Sequence, residues 1–424
     1  MDLVVEGRAY IRGKLTSCCI GIDGGRIRAI KKLLKGDEHL DFGDMLILPA
    51  AIDSHVHFRD PGLTKKEDFN TGTISAAFGG VSCVLDMPNT IPPTLTPRSL
   101  ADKMDSIARK AWVDYGLMGG CSPQADPAAI SKSVIAYKLY MASTTGNLLV
   151  ASDADISRIL SSIAVTGKVI CVHAEDESMV RNIQEKTLDD HDKNRPGVAE
   201  SSAIMRLSKL PGADRIHICH VASNEAISVL EGIPFTKEVT PHNLLLDKDS
   251  KLKSYGKVNP PLRDRGEREA VFKAFQEGKI DVLASDHAPH TIEEKEQEFS
   301  EAPSGMPGVE TSLPLMLALV KKDRLGLDVL LRAACERPAE IFGINKGKIE
   351  VGRDADLIIV DGTSMRKIAT RNLHSKCGWT PFDGWDAIFP HATFVRGVKV
   401  VEENGLVGER IGRDVVARKH PIAG

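Results

Sequence analysis

The chain has 424 residues, 42% hydrophobic and 27% charged, proportions that fit a globular enzyme and exclude a disordered or disulfide-stapled chain. Lys and Arg number 55 against 58 Asp and Glu, a net charge of −3, so no bulk field draws the protein to nucleic acid or to an anionic membrane. Any anion it binds must be held by a local site.

Taken in chain order, the first residues, MDLVVEGRAYIRGK, lack the basic and apolar segments of a signal peptide. No apolar run reaches the roughly 18 residues of a membrane span, so the expected location is the cytoplasm. LVVEGRAYI, SCCIGIDGGRIRAI and, beyond the charged stretch 35–44, MLILPAAID read as short strands broken by glycine turns. Apolar runs then alternate with helical stretches: LPAAIDSHVHF, VSCVLDMPN, VDYGLMGG, AYKLYM, KVICVHAED, RIHICHVAS, FTKEVTPHN and IDVLASDHAPH. Eight such units match a TIM (β/α)8 barrel, whose chemistry sits at the C-terminal ends of its strands. The tail returns to short strands in GKIEVGRDADLIIVDG and ATFVRGVKVV. We therefore expect a small β-sandwich domain built from both chain ends, 1–49 and 347–424, around a barrel spanning 50–346. The eight cysteines form no CxxC pair and are expected as reduced thiols.

His55 and His57 stand two apart at a strand end, so the pleat places both imidazoles on one face. An HxH pair alone is as readily a hydrogen-bonded structural pair as a metal site. His173, His220, His287 and His290, with Asp286, fall at other strand ends of the same expected rim. Nitrogen and oxygen donors of this kind suit zinc or a similar divalent ion. Four histidines (His55, His57, His173, His220) and Asp286 exceed one tetrahedral site, so two metals are expected. Lys138, between apolar neighbours, faces the place where a bridge would lie; burial disfavours its charged form, and a neutral amine can take up carbon dioxide as a carbamate. From local sequence alone, a lysine reaching for the rim or pairing with an acid is the simpler reading.

These motifs resemble the amidohydrolase superfamily and, within it, the class I dihydroorotases. The resemblance runs over DSHVHFRDPG (53–62), DMPNT (86–90), VHAE (172–175), CHV (219–221), KVNPPLR (257–263), ASDHAPH (284–290), APSGMPGVET (302–311) and TPFDG (380–384). It implies reversible cyclisation of N-carbamoyl-L-aspartate to (S)-dihydroorotate in pyrimidine synthesis. It implies His55, His57 and Asp286 on one metal, His173 and His220 on a second, one or two zinc ions in all with two favoured, and a carboxylated Lys138 between them. Many bacterial members bridge with an aspartate shortly after this strand; here 141–146 reads MASTTG, with no carboxylate, which turns the reading of Lys138 toward the bridge.

Asp286 is then the general base and acid. Arg59 offers a planar fork for the substrate carboxylate. Asn89 and His290, the latter one turn beyond Asp286 if a helix starts there, add hydrogen bonds. Asn259, Ser304 and Gly305, the last two through their backbone, face the ring amides. His287 and His242 are expected to be structural and His217 a buried supporting imidazole. The plainer alternative for Arg59 is a surface pair with Asp60. Allantoinase and hydantoinase share the metal residues but lack this arginine, and non-catalytic scaffold relatives usually lose ligands that are all present here. The resemblance leaves docking with aspartate carbamoyltransferase open.

Overall fold

The computed structural model describes residues 1–416 apart from 145, 147, 182 and 404. The first strands are β1 (Leu3–Ile11), β2 (Lys14–Asp23), β3 (Arg26–Lys31) and β4 (Glu38–Pro49). One residue after β4 the chain enters the barrel with β5 (Ala51–Val56), followed by β6 (Val81–Asp86), β7 (Asp114–Gly120) and β8 (Ala136–Tyr140). The barrel continues with β9 (Ile170–His173), β10 (Ile216–Ile218), β11 (Thr236–Val239) and β12 (Val282–Leu283). All eight units expected from the sequence are present, in sequential parallel order. β5 and β6 are buried along their whole length, as parallel strands covered on both faces must be. The ring is completed where Val56 bridges His287 and the His57 amide donates to the His287 carbonyl at 2.8 Å.

Helices follow the strands and are started by local chemistry. Asp68 caps the helix Phe69–Phe78 by accepting from Asn70 and Thr71, and Thr96 with Ser99 forms a capping box on Pro97–Ile107.

The tail adds β13 (Leu357–Val360), the short pair β14 (Arg366–Lys367) and β15 (Asp386–Ala387), then β16 (Ala392–Val395), β17 (Val398–Glu402) and β18 (Gly405–Leu406). The second domain is one hydrogen-bonded sheet from both chain ends, in the order β18-β17-β16-β13-β4-β1-β2-β3. Its core holds Val5, Ile20, Ile47, Leu357, Ile359 and Phe394. Of the charged stretch 35–44, expected as a break, residues 38–44 form the outer half of β4. Its first residues are mostly exposed, and only Leu40 and Phe42 are half-buried against the sheet's core, too short an alternation to stand out among the charges. All eight cysteines are buried and unpaired. No helix among the described residues is long and apolar enough to cross a membrane.

Candidate active site

The C-terminal ends of the barrel strands surround a cavity lined among others by His55, His57, Arg59, Asn89, Lys138, His173, His220, Asn259, Asp286, Ser304 and Gly305. Eleven of the twelve site residues expected from sequence thus meet at one mouth. The twelfth, His290, is fully buried behind Arg59, its Nε2 3.4 Å from Arg59 Nη2 and donating to the Ser304 carbonyl at 3.1 Å. No helix starts at Asp286; the chain is irregular there, and a four-residue helix begins only at Ile292, where Thr291 caps it.

One group of donors forms where β5 meets β12. His57 Nε2 lies 3.1 Å and His55 Nε2 3.3 Å from Asp286 Oδ1, and these three side chains come within metal-binding reach of one another. Each imidazole is turned by a partner on its other nitrogen: His55 Nδ1 donates to Glu238 Oε1 at 2.5 Å, and His57 Nδ1 to Asn89 Oδ1 at 2.7 Å. Both rings therefore present Nε2 to the centre. Burial pushes the His57 pKa down to about 3, which keeps the ring neutral as a ligand requires. Burial raises Asp286, but the surrounding His55, His57 and His220 outweigh it, so its carboxyl stays below the usual range.

A second group forms between β9 and β10. His173 Nε2 donates to Glu175 Oε2 at 2.7 Å, and Arg195 anchors Glu175, which leaves His173 Nδ1 facing His220 Nε2 at 3.1 Å. Lys138 is fully buried between the groups, 3.4 Å from His55 Nε2 and donating to Cys219 Sγ at 3.0 Å. Burial disfavours its ammonium, while Cys219, Tyr140 and Glu238 favour it more strongly.

Arg59 is 1% exposed and does not pair with Asp60, which instead accepts from Ser106 and Lys110. Arg59 Nε reaches the Pro289 carbonyl at 3.4 Å, and its Nη1 has no partner among the described residues. Asn259 Oδ1 accepts from Ser304 Oγ at 3.2 Å and from His191 at 3.0 Å, fixing the opposite wall. At Gly305, φ is +140° and a Cβ would lie 2.5 Å from the Ala288 carbonyl, so only glycine brings this backbone to the cavity. Arg59 (φ 60°), His220 (φ 36°) and Asp286 (φ 45°) occupy left-handed backbone, which costs of order 1–3 kcal/mol each and holds only where the surroundings enforce it.

Glu238, Glu175 with Arg195, Tyr140 and Thr144 were missed in the sequence. Glu238 ties His55, His217 and the His220 amide together, and its signal was an acid at the inner, buried end of the short strand β11. His217, as expected, is a buried supporting ring, held by Glu238 and Thr236. His287 is likewise structural, placed by Glu67 and the Gly308 amide.

Residues 46–400 match the model of the amidohydrolase family. The chain belongs to this family. A dihydroorotase of Thermoplasma volcanium is 40% identical over 419 residues, 98% of each chain, and one of Methanosarcina acetivorans is 39% identical over 428 residues, 94% of this chain and 91% of that protein. Among solved structures, the L-hydantoinase (dihydropyrimidinase) of Arthrobacter aurescens superposes with a TM-score of 0.93 at 31% identity, covering 98% of this chain and 99% of that one. The dihydropyrimidinase of Brevibacillus agri gives 0.88 at 26% identity, covering 98% of each. Family membership and the His55, His57, Asp286 group together mark a metal-dependent site.

Proposed function

We propose that the protein is a dihydroorotase, a cyclic amide hydrolase that interconverts N-carbamoyl-L-aspartate and (S)-dihydroorotate with exchange of one water. The observation that carries this reading is Arg59. A buried guanidinium with one unmet nitrogen calls for an anionic planar acceptor, and dihydroorotate carries a carboxylate beside its cyclic amide. Hydantoin and allantoin carry none and would leave that nitrogen buried and unpaired, a costly outcome. The names of the sequence relatives agree with this choice; the hydantoinase neighbours support the shared barrel and the shared chemistry of amide hydrolysis.

The donor set fits divalent cations, with zinc the ion we favour. His55, His57 and Asp286 would hold one, His173 and His220 a second, and Lys138 between them would serve both as a carbamate, formed from amine and carbon dioxide with loss of a proton. Two cations beside Lys138 would repel its ammonium and so shift it toward the neutral amine that carboxylation needs. Cations there would supply Lewis acidity and acidify water.

The protein's own groups do the rest. Arg59 takes the substrate carboxylate, with His290 acting through Arg59 and the Ser304 carbonyl, and Asn89 adding a hydrogen bond while it fixes His57. Asn259 with the backbone of Ser304 and Gly305 would meet the ring amides. Asp286 accepts the proton of the attacking water and returns it to the departing ring nitrogen; in ring closure it takes the proton from the carbamoyl nitrogen.

The test is an assay on dihydroorotate, hydantoin and allantoin with metal analysis of the same sample. Turnover of dihydroorotate above the other two is the expected result. Fully metallated, folded protein that leaves dihydroorotate untouched overturns the reading and points to a hydantoinase-type enzyme or a silent scaffold. Carboxylation of Lys138 is checked by 13C NMR after exchange with labelled carbon dioxide: a carbamate signal absent from Lys138→Ala is expected, and a variant with unchanged metal stoichiometry would refute the bridge.

A further inference from the structure

Tyr140 lies on β8 two residues after Lys138, so both side chains leave the strand on its inner face. It lines the same cavity and is 4% exposed. Lys138 Nζ stands 5.2 Å from its ring centroid, and the His173 ring is 6.1 Å away. Its hydroxyl has no hydrogen-bond partner among the described residues.

The same strand supplies an internal control. Tyr137, on the outer face, is equally buried, yet its hydroxyl donates to the Pro127 carbonyl at 2.5 Å. Buried phenols ordinarily find such a partner, and an unmet one inside a binding cavity marks a bond reserved for something that enters. The cavity around it carries the Arg59 guanidinium, whose field draws an anionic or carbonyl oxygen rather than a second donor.

We propose that the Tyr140 hydroxyl donates a hydrogen bond to a carbonyl or carboxylate oxygen of the bound substrate, a contact additional to that of Arg59. The identity of that substrate rests on the dihydroorotase reading; the placement of the hydroxyl does not.

The decisive variant is Tyr140→Phe in the metallated enzyme, because it deletes one oxygen and no existing bond. We expect kcat/KM on dihydroorotate to fall by about tenfold or more, the worth of one lost hydrogen bond to a charged or developing oxyanion. Metal content should be unchanged, and the substrate-free melting temperature unchanged or higher, since an unsatisfied buried group has been removed. Tyr137→Phe should do the reverse, lowering the melting temperature and leaving kcat/KM alone. A Tyr140→Phe enzyme within twofold of wild type overturns the proposal, and so does one that melts several degrees lower with loss of metal, which would make the hydroxyl structural. Should the wild type hydrolyse hydantoin and not dihydroorotate, the dihydroorotase reading fails; Tyr140→Phe is then measured on hydantoin, whose carbonyls offer the same acceptor, and the same two outcomes decide.

Discussion

Two buried charged clusters sit at different parts of the barrel, and they are finished differently. At the junction with the sheet domain, Lys346 Nζ lies 2.5 Å from Asp356 and 2.9 Å from Asp114, and Arg396 closes the group by pairing with Asp114 and donating its amide to Asp356. These contacts tie β7 to the residues just before β13 and just after β16. At the mouth, by contrast, Arg59 Nη1, the Tyr140 hydroxyl and His220 Nδ1 have no partner among the described residues, and His173 points a ring nitrogen at another ring nitrogen. Left-handed backbone does not separate the two, since Arg396 (φ 50°) shares it with Arg59, His220 and Asp286. What separates them is whether each buried polar group already faces a counter-charge or a hydrogen-bond partner in the chain: Asp114 Oδ2, which accepts no hydrogen bond of good geometry, still has the Lys346 ammonium at 2.9 Å. A closed cluster holds domains together; an open one is waiting for ligands.

Removing one charge at each place tests this division most severely. Asp286→Asn keeps the shape of the mouth while removing the proton acceptor, and turnover should fall by roughly 10²–10⁴-fold with the fold retained. Metal content must be measured alongside, because only a metallated, inactive variant speaks for the proton role; one that stays active shows the assignment to be wrong. At the junction, Lys346→Met leaves Asp114 and Asp356 buried without their ammonium. The expected loss is about 3–5 kcal/mol of unfolding free energy in urea, with turnover per folded molecule unchanged. Equal damage to stability and turnover from both variants would erase the distinction.

A smaller effect sharpens the reading of the mouth. Arg59→Lys retains the charge but loses the planar fork, and KM for dihydroorotate should rise roughly 10–100-fold with a lesser change in kcat. If KM for dihydroorotate does not move, the carboxylate is bound elsewhere.

The barrel was legible because its signals are local. Eight apolar runs, each ended by polar residues, define the strands, and the period of two places His55 with His57 and Lys138 with Tyr140. Donor identities were legible for the same reason: His173, His220 and Asp286 each stand at a strand end. What local pattern does not carry is pairing across the sequence. Nothing near Glu238 says that it faces His55, 183 positions earlier, and nothing near Asp60 says that it turns from Arg59 to Lys110. The outer half of β4 escaped because charges and Gly43 surround Leu40 and Phe42, the two partly buried side chains that pack on the sheet's core, and the irregular stretch from Asp286 to His290 because strand-end geometry at a barrel mouth overrides helix-period spacing. Tyr140 could have been suspected from its register with Lys138, but its missing partner is a fact of three dimensions.

The least effect concerns a carboxylate just beside the closed cluster. Asp414 accepts the Val416 amide at 2.8 Å, and its residue bridges Tyr115 on β7. Burial, with Asp114 adding to it, pushes its pKa up to about 6, against the opposing pull of the Val416 N–H and Lys168. The folded chain therefore holds this proton more tightly than the unfolded one, whose aspartates titrate near 4. Between about pH 4 and 6 the native state binds more protons, so this group's contribution to stability falls as pH rises through that window and is constant above it. Asp414→Asn removes the titration. Because the side chain is partly exposed, a shift of about two pKa units is discounted to roughly 1 kcal/mol. The variant should thus be more stable than wild type by about that amount at pH 7, and the gap should close near pH 4. A gap that is the same at both values would mean that Asp414 is solvated like a surface acid, and that the ordering of this junction by fully compensated charge stops at Lys346 and Arg396.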